Sequence, residues 1–370
     1  MIKPKALKKK IVVAMSGGVD SSVAAALMVE KGYEVIGLTM QLYDQNDSIS
    51  KNTKSCCAGQ DIYDAKRVAE KLGIDHYVLN YEKNFLNDVI KDFANTYAEG
   101  RTPIPCIRCN ERMKFRDLLN TAMGLDAEML VTGHYAKIER NKSNISLHRA
   151  TDREKDQSYF LFSTPLDVLE KVFFPLGDMT KATTRKYAEK FLLPVSDKPE
   201  SQDICFVQST KKGAYREIIK KLRPDAAKKG KIIHKNGDNL GTHNGIDAFT
   251  VGQRRGLGVS SINGEPLYVT KIDADNKIIY VGELKDLLVS DFRSVDITWL
   301  KKVKVGSKIN AMVKVRSQHC PQKATILIED QNKATISFSK PCSGVSLGQA
   351  SVFYEGDCVL GGGWIYENLD

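Results

Sequence analysis

The stretch Ser16-Gly17-Gly18-Val19-Asp20-Ser21-Ser22 sets two glycines, three hydroxyls and a carboxylate between a β-branched run, Ile11 to Met15, and a helical pattern from Val23 to Glu30. Two glycines let the backbone bend until successive N–H groups point into one concavity, and the following helix adds its positive end. A phosphate chain fits such a loop. Ser16, Ser21 and Ser22 are expected to add hydroxyl donors, and Asp20 to cap the helix or help hold a magnesium ion. A kinase- or GTPase-type loop would need a Lys followed by Ser or Thr, which this stretch lacks, so transfer of a γ-phosphate is disfavoured. A bare glycine turn capping a helix would not need the serines.

The second group is sulfur. Gly100 to Asn110 reads GRTPIPCIRCN, with Pro103 and Pro105 stiffening the approach to Cys106 and Cys109. A thiol at a helix start beside Arg101, Arg108 and Arg112 has its thiolate favoured by the helix dipole and the cations, which makes Cys109 a candidate nucleophile. A lone Cys-x-x-Cys is also half of a zinc site, but no second pair or His partner stands at ribbon or finger spacing. Cys205, in Ser201-Gln202-Asp203-Ile204-Cys205-Phe206, reads by itself as a core cysteine. Cys320, Cys342 and Cys358 sit in strand-like sequence, and nothing near Cys56 and Cys57 assigns them a role.

The elements that must position these groups alternate short β-branched runs with longer amphipathic ones, an α/β layout with parallel strands and helical crossovers. Strands are expected over Ile11 to Met15, Glu34 to Met40, His76 to Asn80 and Glu128 to Thr132. Helices are expected near Ser21 to Lys31, Asp61 to Leu72, Phe85 to Tyr97 and Asn110 to Met123. From Gly213 to about Gly282 a basic block gives way to Gly-rich turns and short strands, which reads as a small separate module. Beyond Leu284 the period-two alternation of Ala311, Val313 and Val315 predicts an antiparallel barrel of about six strands. The division is then 1–210, 211–284 and 285–370. Met40 and Gly133, at the C-terminal ends of two strands, stand where open α/β sheets bind ligands.

At 370 residues with 42% hydrophobic and 27% charged positions, the chain has globular composition and length for two or three cores. No apolar stretch approaches the ~20 residues that cross a bilayer, and the Lys-rich start lacks the apolar block of a signal peptide, so a cytoplasmic protein without membrane attachment is expected. Eight cysteines then point to a reducing compartment. The net charge of +10 is concentrated: Lys211 to Lys235 holds ten basic residues against Glu217 and Asp225. A polyanion is the expected partner, set against the plainer reading of a solvated helix face.

The order SGGVDS, GRTPIPCIRCN, TGHYA, DQSYFL, SQDICF, GQRRGLG and GQASVFY runs through nearly the whole chain. In that order the chain resembles the tRNA-specific 2-thiouridylases, which use ATP to replace the 2-oxygen of an anticodon wobble uridine with sulfur. The resemblance implies an N-type ATP pyrophosphatase domain followed by a small mixed module and a C-terminal antiparallel β-barrel. It implies that Ala14, Met15, Ser16, Gly17, Gly18, Val19, Asp20, Ser21, Met40 and Gly133 contact ATP, taken with magnesium. Cys205 would carry a persulfide received from a donor protein, and Cys109 would liberate its terminal sulfur, leaving a transient disulfide between the two. Ile104, Pro105 and Cys106 would line the target base. His134, Lys155, Asp156, Gln157, Arg316, Ser317 and Gln349 would lie against the tRNA. Ile104 stands where the family commonly has Asn, and Leu347 where it has Pro. An iron–sulfur cluster on Cys106, Cys109 and Cys205 is the alternative use of the same thiols. Other ATP pyrophosphatases, such as an amidating synthetase or a tRNA ligase, would share the loop without needing the cysteines.

Overall fold

The computed structural model describes residues 8–43, 57–141, 144–200, 204–207, 213, 215–259 and 264–369. Lys3, Lys5, Cys56, Ser201, Gln202, Asp203, Lys211 and Lys212 lie outside the described residues, as does the side chain of Cys57. The chain divides into two compact units: 1–86 with 107–206 and 357–359, and 87–106 with 207–356 and 360–370.

The first unit is built on a five-stranded parallel sheet. Its strands are β1 (Lys10–Ala14), β2 (Glu34–Gln41), β3 (Asp75–Asn80), β4 (Leu130–Val131) and β7 (Val172–Phe173), in the order β3-β2-β1-β4-β7. Ile11, Val12 and Val13 of the central strand are fully buried, as expected where helices cover both faces of a parallel sheet. Helix α1 (Val19–Glu30) supplies Val23, Ala24, Ala25 and Leu27 to the same core, its alanines allowing a close approach to the strands. Helix α2 (Cys57–Leu72) adds Ala65, Val68 and Ala69. The expected fourth strand is only two residues long. Two antiparallel strands, β5 (Ala136–Asn141) and β6 (Asn144–Arg149), were not expected; their mixed polar sequence hides the alternation.

The second unit holds a four-stranded mixed sheet of β8 (Gly230–His234), β9 (Asn239–His243), β10 (Tyr268–Asp273) and β11 (Ile278–Gly282), ordered β10-β11-β8-β9, with β8 and β11 parallel. Beside it in the chain, the helix Tyr215–Leu222 buries Ile218 and Ile219. Tyr215 stacks on Tyr97 of the helix Lys91–Ala98 at 5.2 Å between ring centres, and burial pushes the Tyr97 hydroxyl up to about 12.

The remaining strands, β12 (Leu288–Trp299), β13 (Lys308–Lys314), β14 (Gln322–Ile328), β15 (Lys333–Ser343), β16 (Ala350–Glu355) and β17 (Cys358–Asn368), follow the order β12-β15-β14-β13-β16-β17, and β12 pairs back onto β17. This is the expected six-stranded barrel, closed so that no edge is left open. Phe292, Ile326, Ile336 and Phe353 fill it, all fully buried.

Candidate active site

The turn between β1 and α1 is the expected loop. Gly17 has φ +73, and a Cβ there would lie 2.1 Å from the backbone oxygen of Asp61, so no other residue fits without displacing α2. A Cβ on Gly133 would lie 2.7 Å from the backbone nitrogen of Ser21, so Gly133 seats its own backbone directly against the loop. Met15 donates its N–H to Leu38 O at 2.8 Å and accepts from the Thr39 hydroxyl at 2.7 Å, which anchors the loop's first residue to β2. Met40 is half-buried near the end of β2, two residues past Leu38.

The hydroxyls are used differently from expectation. Ser21 and Ser22, both buried, donate to the Gly18 carbonyl at 3.2 and 2.8 Å, tightening the first turn of α1. Ser16 is the exposed one, with its Oγ 3.2 Å from that of Ser21. Asp20 does not cap the helix either: Gly18 is the N-cap and no side chain caps it. The Asp20 carboxylate instead accepts from Lys181 Nζ at 2.8 and 2.9 Å and from the Tyr135 hydroxyl at 2.9 Å. Burial, then the charge of Asp20, raises the Tyr135 hydroxyl far above its ordinary value, so it stays a donor.

Two lysines that sequence reasoning passed over organise the surroundings. Lys198 donates to the Gly17 carbonyl at 3.0 Å, to Asp61 at 2.7 Å and to Asp64 at 2.6 Å. Burial works against its charge, but the hydrogen bonds to Asp61 and Asp64 outweigh it and hold its pKa above the ordinary lysine value. Lys181 stands on Asp20 and also lies 3.3 Å from Glu200, whose other oxygen accepts from Lys155 Nζ at 2.7 Å. The hydrogen bond from Lys155, with Lys181 beside it, holds the Glu200 carboxyl below the usual range. The charged run Asp197-Lys198-Pro199-Glu200 before SQDICF was the available sequence signal.

Cys109 departs from its expected setting. The helical run starts at Pro105, so Cys106 lies in the first turn and Cys109 a turn later, at the start of the wide i→i+5 stretch Cys109–Leu118. A helix dipole fades within its first turn, so it acts less on Cys109 than the sequence suggests. Arg108, moreover, pairs with Glu111 at 3.1 Å. Cys109 is half-buried and Cys205 exposed; the backbone oxygen of Cys205 accepts from the Tyr43 hydroxyl at 3.1 Å, and Phe206 packs on Phe85. Cys205 is therefore no core cysteine. Among the described residues no three His, Cys, Asp or Glu side chains form a group able to hold a metal ion.

The residues expected against RNA fall into distinct settings. His134 is buried, with Nδ1 2.7 Å from the Thr132 hydroxyl and Nε2 3.2 Å from Lys114 Nζ, and its ring lies against Phe115 and Phe174. Burial, then the Lys114 charge, drives its pKa well below the ordinary value. The Asp156 side chain is 1% exposed and accepts from Arg149, the Ala150 and Ser158 backbone and the Ser158 hydroxyl. Gln157 accepts from the Tyr135 N–H.

In the second unit, Gln349 donates to the Thr102 carbonyl at 3.3 Å and Thr102 donates to Leu347 O at 2.8 Å, which ties the extended segment leading to Ile104, Pro105 and Cys106 onto the barrel. Ile104 is half-buried, Pro105 buried and Cys106 exposed. Half-buried Arg316 donates to Gly344 O at 2.8 Å, and Ser317 beside it is half-buried. Of the basic block, Arg216 pairs with Asp247, Arg223 with Asp225 and Lys235 with Asp286, whereas Lys220, Lys221, Lys228, Lys229 and Lys231 are exposed. No helix among the described residues is long and apolar enough to cross a membrane.

Comparison with known proteins bears on this arrangement. Residues 9–209 match the tRNA methyl transferase HUP domain, 216–283 the tRNA methyl transferase PRC-barrel domain and 289–365 the aminomethyltransferase beta-barrel domain. The tRNA-specific 2-thiouridylase MnmA of Rickettsia bellii is 51% identical over 370 residues, covering 100% of this chain and 99% of its own. The chain belongs to the tRNA-specific 2-thiouridylase family. The enzyme of the same name from Rickettsia typhi is 51% identical over 97% of this chain and 99% of its own. Family membership spans every element described above, barrel included, although the domain descriptions speak of methyl transfer. A solved 4-thiouridine synthetase–RNA complex with bound ATP is similar at 18% identity over 59% of this chain and 51% of its own, with a TM-score of 0.35.

Proposed function

We propose that this protein is a cytoplasmic tRNA 2-thiouridylase acting on the wobble uridine of an anticodon. The reading is carried by one observation: the glycine loop between β1 and α1 and two cysteines with solvent access, Cys109 and Cys205, belong to the same compact unit of a chain that is full-length kin to 2-thiouridylases. An uracil C2 carbonyl is a poor electrophile because oxide is a poor leaving group. With ATP and magnesium on Ala14 to Ser21, Met40 and Gly133, attack of the C2 oxygen on the α-phosphate expels pyrophosphate and leaves AMP on that oxygen.

Sulfur then arrives on Cys205 as a persulfide from a donor protein. The Cys109 thiolate attacks the inner sulfur of Cys205, forming the Cys109–Cys205 disulfide and releasing hydrosulfide. Hydrosulfide adds to C2 and AMP departs, giving the thiocarbonyl; a cellular thiol supplies the two electrons that restore the dithiol. The half-buried Cys109 and exposed Cys205 fit a nucleophile and an acceptor that a second protein must reach.

The target base would lie against Ile104, Pro105 and Cys106, and the tRNA along His134, Lys155, Asp156, Gln157, Arg316, Ser317 and Gln349. The exposed lysines 220, 221, 228, 229 and 231 suit phosphate contacts. The functional division 1–210, 211–284 and 285–370 assigns chemistry and part of the tRNA contact to the first part and further tRNA grip to the other two.

Purified protein given magnesium, ATP, unmodified tRNA and a persulfide source should release AMP and pyrophosphate and yield 2-thiouridine by nucleoside mass spectrometry. ADP with phosphate in place of AMP would defeat the reading. Cys205→Ser should fail to load labelled sulfur, and Cys109→Ser should load it on Cys205 without passing it on. Activity that instead tracks bound iron in an anaerobic assay would favour the cluster use of the thiols.

A further inference from the structure

The loop lacks the lysine of kinase-type phosphate loops, yet a lysine distant in sequence stands on it. Lys181, the first residue of the helix Lys181–Lys190, is 13% exposed and donates to both oxygens of Asp20, inside the loop's own helix turn. A carboxylate there would repel a polyphosphate unless a cation neutralised it. The question is whether Lys181 is a fixed brace, as Lys198 is, or a cation able to change partners.

The partners decide it. Lys198 ties Asp61 and Asp64 to the Gly17 carbonyl, and of these acids Asp61 has no other cation among the described contacts. Lys181 is different, because each of its carboxylates keeps a second donor: Asp20 keeps the Tyr135 hydroxyl, which itself sits 2.8 Å from Thr184 Oγ1, and Glu200 keeps Lys155 on its other oxygen. If Lys181 turned away, neither acid would be stranded. Resting on the ATP reading above, we propose that Lys181 is the polyphosphate-binding lysine of this enzyme: it leaves Asp20 and Glu200 for the β- and γ-phosphates as nucleotide enters, and the vacated Asp20 carboxylate would then be open to the magnesium that accompanies ATP. It then neutralises charge on the departing pyrophosphate, the role that the loop's own sequence does not supply.

Calorimetry with MgATP and with AMP tests this on the full chain. A charged hydrogen bond of about 1.5–3 kcal/mol corresponds to roughly 10- to 150-fold in affinity. Lys181→Met should therefore weaken MgATP by roughly that factor, leave AMP within about threefold, and have Lys181→Arg recover most of the MgATP loss. Equal losses for MgATP and AMP would make Lys181 a brace, and unchanged MgATP affinity would remove it from the phosphates; either overturns the proposal. AMP binding by the variant also reports that the site is folded. Wild-type protein that binds MgATP but makes no 2-thiouridine would sink the thiouridylase reading while leaving the Lys181 comparison intact.

Discussion

The C-terminal barrel and the floor of the glycine loop solve the same problem, holding a backbone in one place, by opposite means. In the barrel, β12 to β17 join three consecutive strand pairs to three longer-range ones and enclose Phe292, Ile336 and Phe353 without any buried ion pair among the described residues of that core. Under the loop, residues from opposite ends of the unit meet through charge: Gly17 and Asp61 through Lys198, and Asp20 through Lys181. Apolar burial gives stability but little directional precision. Partly buried ion pairs give little net stability, because desolvation offsets attraction, but they fix which atoms face which. The molecule places each where its function needs it.

That contrast predicts separable defects. The largest loss of stability should come from Phe292→Ala, at about 3–5 kcal/mol from the void left in a closed core, read as a lowered denaturant midpoint. Its MgATP affinity should match wild type; a parallel loss of nucleotide binding would show that the two regions are not independent. Gly17→Ala should reverse the pattern. A left-handed alanine costs about 1–2 kcal/mol before the clash with the Asp61 carbonyl is counted, and the shift it forces should abolish measurable MgATP binding. Retained affinity would mean that the loop tolerates movement.

Lys198→Met is the intermediate case. It leaves the mostly buried Asp64 and the one-third exposed Asp61 facing each other, and a loss of about 2 kcal/mol follows once solvent screening of Asp61 is allowed for. Burial already raises the Asp61 pKa. A carboxyl whose folded pKa is raised favours the folded state at low pH and loses that advantage as pH rises through the folded value. The deficit of the variant should therefore shrink on acidification toward the carboxylate range, and a pH-independent deficit would assign the effect to packing instead.

The same contrast explains what the sequence disclosed. Local patterns were legible: the period-two alternation around Val313 predicted the barrel, and Ile11 to Met15 followed by glycines predicted the strand, loop and helix. The order of motifs across the chain was legible too, and the family comparisons agree with it. Illegible were partnerships made by long side chains across sequence. The charged run around Lys198 does not disclose its partner Gly17, nothing near Lys181 marks it as a neighbour of Asp20, and the sequence is equally compatible with a capping Asp20, whose carboxylate in fact accepts from Tyr135 and Lys181. The Cys109 setting failed for a local reason, since Pro105 is compatible with a first helical turn and starts the helix one turn earlier than the cysteine spacing suggests.

His134 gives the finest test, because it asks whether the polar floor holds one proton state. Lys114 is an ammonium and donates, so His134 Nε2 must accept, which leaves its Nδ1–H for the Thr132 hydroxyl; Phe115 and Phe174 close the remaining sides. The ring is thus held neutral, with its folded pKa well below 6.5. For a depressed pKa the stabilisation is complete above the unfolded value and is lost as pH falls, starting near 6.5 and continuing to the folded value. Between pH 7.5 and 5.5 this one group should therefore lower stability, by at most about 1.4 kcal/mol for each pH unit below the unfolded pKa. His134→Gln keeps an amide in the ring's place and cannot titrate, so its urea midpoint should fall less than that of wild type over the same interval, whatever its absolute stability. His76, whose pKa burial also lowers, titrates equally in both proteins and cancels in the comparison. If wild type and variant lose stability in parallel, His134 titrates alike in the folded and unfolded protein, and the ammonium of Lys114 must point elsewhere.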